Sequence, residues 1–176
     1  MPFKTYGVVD MRDTYLTHIQ PGPHDAVLVF SLEEQKFGID IAVVERVVRA
    51  VEVTPLPSVP KLVLGLINVQ GRVIPVVDFR TRMNRETREI RVSDSFILAH
   101  APSRVLALLV DAVLGVVSRD RISVRPASEV LSNLDSFDGI ATLDDSIVLI
   151  QNMENLISGD EESALEAALA SRGGAA

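Results

Sequence analysis

The chain of 176 residues has no cysteine and no tryptophan, and aromatic residues make up only 5% of it. Without cysteine there is no disulfide framework, no thiol nucleophile, and no thiolate zinc or iron-sulfur site. With so few aromatic rings the core must be aliphatic, built from Val, Leu and Ile. No apolar run approaches the roughly 20 residues that span a bilayer as a helix. The opening stretch MPFKTYGVVDMRD also lacks the apolar segment of a signal peptide. A cytoplasmic protein without direct membrane insertion is expected.

Basic charge is scarce where it would matter for nucleic acid. The formal net charge is −7; residues 1–88 carry 11 Lys and Arg against 10 Asp and Glu, and residues 89–176 carry 6 against 14. Such a chain gains no counterion-release attraction to a polyanion, so nucleic acid is not an expected partner. The one basic run, Arg80, Arg82, Arg85, Arg88 and Arg91, is interrupted by Glu86 and Glu89 and has no interleaved aromatics. It reads as a solvated loop.

Catalytic signatures are missing too: there is no phosphate-binding glycine loop, nucleophile elbow, metalloprotease helix or calcium loop. His18, His24 and His100 are isolated from one another, so no metal site and no cofactor are expected. The pairs Glu33-Glu34 and Asp144-Asp145 fall where hairpin tips are expected, and consecutive carboxylates at such tips are solvated. An enzyme is not indicated. A pocket for a small molecule at a junction between β modules is the alternative from another functional class.

What is present is a grammar of short β-rich runs. Residues 1–25 end at Pro21-Gly22-Pro23 and form an N-terminal extension, with Val8, Met11, Tyr15 and Ile19 at the spacing of a short docking helix. Val27 to Leu32 and Lys36 to Asp40 predict a hairpin about Glu33-Glu34-Gln35. One or two helical turns follow Asp40, carrying Ile41, Val44 and Val48 on one stripe. A strand over Ala50 to Val53 then runs into Pro55, Pro57 and Pro60. Gly65 to Val69 and Arg72 to Val77 flank Gln70-Gly71, where Gly71 supplies the positive φ of a tight turn and Pro75 requires an edge or bulge.

The second half repeats this grammar. Phe96 to Ala101 and Val105 to Val110 predict another hairpin, with Asp111 placed as Asp40 is in the first half. Gly139 to Leu143 and Ser146 to Ile150 flank Asp144-Asp145 as the earlier strands flank Gln70-Gly71. Strands spaced by 8 to 12 residues with Gly and Pro punctuation imply two small, similar barrels. The chain closes with a short helix over Asn152 to Ile157 and a C-terminal helix over Glu161 to Arg172, capped by Asp160, with Leu165 and Leu169 on a weakly apolar edge.

The run from Gly65 to Arg80, GLINVQGRVIPVVDFR, resembles the CheW family of chemotaxis coupling proteins, whose usual form is G-x-x-N-L-R-G-x-x-x-P-V-x-D-L-R. Phe30-Ser31-Leu32 and Phe37 to Ile41 match that family's opening hairpin, and Val110 to Val113 and Val124 to Ala127 match its second half. The resemblance spans about Val27 to Ile157. It implies a mainly β fold of two five-stranded SH3-like barrels packed around a common core, with short helices and a C-terminal helix. Placed on this chain, the domain covers residues 26–158, with the first barrel built mainly from 27–80, the second from roughly 94–150, and a helix and tail over 159–176.

The resemblance further implies a non-enzymatic adaptor that joins the cytoplasmic tip of methyl-accepting chemoreceptors to a CheA-type histidine kinase, at membrane-associated receptor arrays and with assembly into rings. Carried over by position, Val44, Arg46, Gly65, Gln70 and Gly71 fall at the receptor site and Val51, Val53 and Leu64 at the kinase site. Arg125, Glu129 and Val130 fall at the ring interface. The duller readings are core valines and surface ion pairs. Two positions depart from the family: Gln70 replaces its usual arginine and Arg46 its usual glutamate. Gln70 keeps hydrogen-bonding capacity without charge, and Arg46 is expected to turn to Glu45, Glu52 or Asp78.

Overall fold

The computed structural model describes residues 26–130 and 136–173. The extension over residues 1–25, with its Val8, Met11, Tyr15 and Ile19 stripe, lies outside them.

Among the described residues the chain forms β1 (Ala26–Leu32), β2 (Gln35–Asp40), β3 (Val44–Arg49), β4 (Val63–Val69), β5 (Arg72–Asp78), helix α1 (Phe79–Arg82), β6 (Ser95–His100), β7 (Val105–Val110), β8 (Ala112–Ser118), β9 (Ser123–Pro126), helix α2 (Ala127–Val130), β10 (Phe137–Leu143), β11 (Ser146–Gln151) and helix α3 (Gly159–Gly173). No helix among the described residues is long and apolar enough to cross a membrane.

The strands form two sheets, one of six in the order β8-β1-β2-β11-β10-β9 and one of five in the order β3-β6-β7-β5-β4. The two orders are the same plan: a central antiparallel hairpin, β1-β2 or β6-β7, flanked on one side by β8 or β3. On the other side lies a second hairpin whose inner strand runs parallel to the first, β11 beside β2 and β5 beside β7. The duplication expected from the sequence is therefore present, but the halves are not sequential. A division into 27–80 and 94–150 fails because β1-β2 pairs with β8 and β11, while β6-β7 pairs with β3 and β5. The chain changes sheet at Asp40 and again at Asp111, the two aspartates that the sequence places alike.

Asp40 shows why the helical expectation after it holds for one turn only. Its carboxylate accepts from the Ala42 N–H at 2.9 Å and caps a 3-10 turn over Ile41–Val43. From Val44 the β-branched residues extend into β3 against β6, as their strand preference favours. The strand expected over Ala50 to Val53 is thus displaced to Val44–Arg49, and residues 50–53 belong to no strand. Pro75 sits in an inner strand, paired with Leu66 on one side; pairing to β7 begins only at Val76, so on that flank Pro75 is at an open edge.

The main core lies between the sheets and draws on both: Leu28, Phe30, Phe37 and Ile39 from one, Val44, Val77, Ile97 and Leu108 from the other. Phe79 at the start of α1 meets Phe30 and Phe37 edge-on, with ring centroids 5.3 and 5.1 Å away. Each sheet also has a smaller core of its own, centred on Ile67, Phe96 and Leu98 in one and on Val27, Ala141 and Ile150 in the other. Helix α3 starts at Gly159, two residues earlier than Asp160 as a cap would allow. Ser158 is the capping residue, accepting from the Glu161 N–H while its own N–H donates to the Glu161 carboxylate.

Candidate interaction surface

The β4-β5 turn is fixed by two consecutive left-handed residues, Gln70 at φ 53° and Gly71 at φ 86°. Such a pair matches the twist of a tight hairpin. The Asn68 side-chain oxygen accepts from the Gly71 N–H at 2.8 Å, which pins the tip from within. Beside it, β3 delivers Arg46, only 7% exposed, and its guanidinium donates to the Gln70 side-chain carbonyl at 3.1 Å. Glu45 stands next to it, 3.6 Å from the Arg46 Nε and 2.5 Å from the Arg72 guanidinium, with the His100 ring at 3.9 Å. The hydrogen bond from Arg72 outweighs burial and holds the Glu45 carboxyl below its ordinary range. Of the three carboxylates expected for Arg46, Glu45 is thus at hand, and Asp78 caps α1 through the Arg80 N–H.

Arg46, Gln70 and Gly71 therefore meet at one tip. Gly65 lies at the base of the same hairpin, at φ 147°, where a Cβ would collide with the Thr54 carbonyl. Val44 is buried in the central core. Val51 is 47% exposed, while Val53 and Leu64 are half-buried against the small core of the five-stranded sheet. Arg125 is exposed on β9, the edge of the six-stranded sheet, and Glu129 and Val130 are exposed on α2.

The basic run corrects the solvated-loop reading. Arg80 is 4% exposed and donates to Glu33 at 3.0 Å and to Asp111. Arg88 forks onto both oxygens of Asp94 at 2.7 and 2.8 Å and reaches Asp111 at 2.7 Å. Arg85 takes the second oxygen of Glu33 at 2.6 Å, and Arg82 pairs with Glu161 at 2.9 Å. These ties link the β1-β2 turn of one sheet to the β5-β6 connection of the other, with Asp111 at the sheet change between them. Burial raises the Asp94 and Asp111 carboxyls, but the donors around them outweigh it and both lie below the ordinary aspartate range. The sequence signal for this network was an excess of arginine over local acids in 80–91, which obliges the guanidinia to find partners elsewhere in the chain.

Asp144 and Asp145 form an exposed left-handed turn, at φ 45° and 61°. A polar-lined depression is bounded by Glu33, Glu34, Gln35 and Arg85. Among the described residues no three metal-ligating side chains cluster. Such a surface offers a rigid exposed hairpin, half-exposed aliphatic side chains and sheet edges, the features of protein contact.

Comparison with known proteins agrees in extent. The family model described as the CheW-like domain matches residues 26–161. The chain is 29% identical over 149 residues to the chemotaxis protein CheW of Rhizobium meliloti (strain 1021), covering 84% of this chain and 96% of that protein. With the chemotaxis protein CheW of Klebsiella aerogenes it shares 26% over 136 residues, 76% and 82% of the two chains. Among solved structures it is similar to the scaffolding protein TtCheW from Thermoanaerobacter tengcongensis, with a TM-score of 0.69 and 30% identity over 78% of this chain and 94% of that one.

Proposed function

The chain belongs to the CheW-like family, and from that premise we propose that it is a non-enzymatic chemotaxis adaptor coupling methyl-accepting chemoreceptors to a CheA-type histidine kinase. The observation that carries this reading is the hairpin tip: Gln70 and Gly71 are exposed, yet the Asn68 cap and the Arg46 guanidinium hold them in one geometry. A preformed, exposed turn loses little conformational entropy on binding, which suits a docking element for a receptor's cytoplasmic tip. On this reading Arg46, Gln70 and Gly71 make the receptor contact, with Gly65 and Val44 setting the strands beneath it. Val51, Val53 and Leu64 make the kinase contact. Arg125, on the outer edge strand of the other sheet, and Glu129 and Val130 on α2 make the contact that extends kinase and adaptor into rings. The working place of the protein is the cytoplasmic face of a receptor array.

Reconstitution tests the proposal. A receptor cytoplasmic fragment and the CheA-type kinase of the same pathway are mixed with and without the purified chain, and kinase autophosphorylation is followed. Receptor control of the kinase that depends on the chain is expected. A chain that binds neither protein and leaves phosphorylation unchanged is no coupling protein.

A further inference from the structure

Residues 51–53 hang between two backbone ties. At one end the Ala50 N–H donates to the Asp94 carbonyl at 3.0 Å; at the other, Thr54 and Leu66 exchange two hydrogen bonds of 2.8 Å each. The Thr54 bridge depends on the absence of a side chain at Gly65, over which the Thr54 carbonyl is stacked. Just beyond it, the buried side chains of Leu56 and Leu66 pack with Ala168 of α3, flanked by Val59 and Leu169.

Helix α3 is itself held firmly. Besides the Ser158-Glu161 capping box, Arg82 pairs with Glu161 and donates to the Leu156 carbonyl, and Arg104 pairs with Glu162 at 2.7 Å. Leu165 is fully buried in the central core. The residues that match the family model stop at 161, so Ala168 and Leu169 lie outside the shared domain.

We propose that α3 is a buttress for the kinase-docking segment: Ala168 and Leu169 press Leu56 and Leu66 together, keep the Thr54-Leu66 bridge closed, and so hold Val51 and Val53 in the orientation that a kinase meets. Ala168 and Leu169 are positioning residues and touch no partner. The inference rests on the reading of Val51 and Val53 as kinase contacts, but its structural half stands apart from that reading. An apolar contact this small works through local opening.

The test uses the full chain with Ala168→Asp, which places a charge in the Leu56-Leu66 contact, and Ala168→Ser as the conservative control. Amide exchange at Thr54 and Leu66 is measured beside affinity for the kinase regulatory domain and for a receptor fragment. The expected result for Ala168→Asp is exchange faster by about tenfold at those two amides, a several-fold loss of kinase affinity and unchanged receptor affinity, with Ala168→Ser close to the parent in all three. Unchanged exchange at Thr54 and Leu66 overturns the buttress. Faster exchange with unaltered kinase affinity overturns its link to docking. If the parent protein binds no kinase at all, the coupling reading fails, and the exchange data still decide whether α3 supports the bridge. Should Ala168→Asp fail to fold, Leu56→Ala, which loosens the same contact from a residue outside the central core, carries the same three measurements.

Discussion

The Arg46 guanidinium donates to the Gln70 side-chain carbonyl at 3.1 Å, so the two positions at which the chain departs from its family touch each other. The substitutions form a coupled exchange: where the resembling proteins have a carboxylate below and a guanidinium above, this chain has the guanidinium below and a neutral amide above. Gln70→Arg would set a second positive charge against an almost buried one and should destabilise the fold by roughly 1 kcal/mol. Adding Arg46→Glu should recover that loss, so a double-mutant cycle by urea denaturation should give a clear coupling energy. Gln70→Arg alone should also weaken binding to the cognate receptor or kinase, since altered charge serves partner matching. Tighter binding would refute matched divergence.

The two glycines of the same hairpin should behave oppositely. Gly65→Ala forces a Cβ into the Thr54 carbonyl at a φ that side chains avoid, and should cost at least about 3 kcal/mol. Gly71→Ala meets no atom within 4 Å and carries only the cost of its left-handed φ, about 1 kcal/mol. Thermal denaturation distinguishes the two. Gly71→Ala is therefore the variant with which to probe partner binding in a folded protein.

Hairpins were legible in the sequence because their information is local: Glu33-Glu34, Gln70-Gly71 and Asp144-Asp145 all occupy left-handed or turn positions that announce a reversal. The pairing of β2 with β11 and of β5 with β7 was not legible, because parallel neighbours far apart in sequence leave no periodic mark on either strand. The segment after Asp40 shows a competition between levels. The cap starts a helix, and the valines end it after one turn. At the candidate surface, the tip residues could be named from the motif, whereas the burial of Arg80 could not, since a charged run in one dimension does not reveal the carboxylates that fold back onto it.

Arg80 offers the strongest stability prediction away from the surface. Its guanidinium joins Glu33 on one sheet to Asp111 at the change of sheet, with 4% of its side chain exposed. Arg80→Ala empties a buried site and takes one of three donors from the partly exposed Asp111, which keeps Arg88 and the Glu33 N–H, and should cost about 2 kcal/mol. Arg80→Lys keeps the charge but loses the planar fork that reaches two acids, so it should recover only part. Chemical denaturation checks both; equal stability of Arg80→Lys and the parent would show that charge alone suffices.

The acid limb of stability should divide between opposing carboxylates. Asp94 and Asp111 lie below the ordinary aspartate range, since Arg88 and the Arg91 N–H at one, and the Glu33 N–H with Arg80 and Arg88 at the other, overcome burial. For these two the unfolded chain binds protons more readily. Their contribution is complete above the unfolded value of about 3.9 and is lost as pH falls through their lower folded values. Asp78 is displaced the other way: burial raises its carboxyl despite the Arg80 N–H and guanidinium and the Thr81 hydroxyl. Its contribution is complete below that unfolded value and is lost as pH rises through its raised folded one. Asp78→Asn, which keeps an acceptor for the Arg80 N–H, should therefore match the parent at acid pH and exceed it at neutral pH. Asp94→Asn should be weaker than the parent at neutral pH, with the gap closing below about pH 4. Urea midpoints taken across that range measure both; an Asp94→Asn deficit that stays constant from neutral to acid pH would mean that the Arg88 pair is not the source of the dependence.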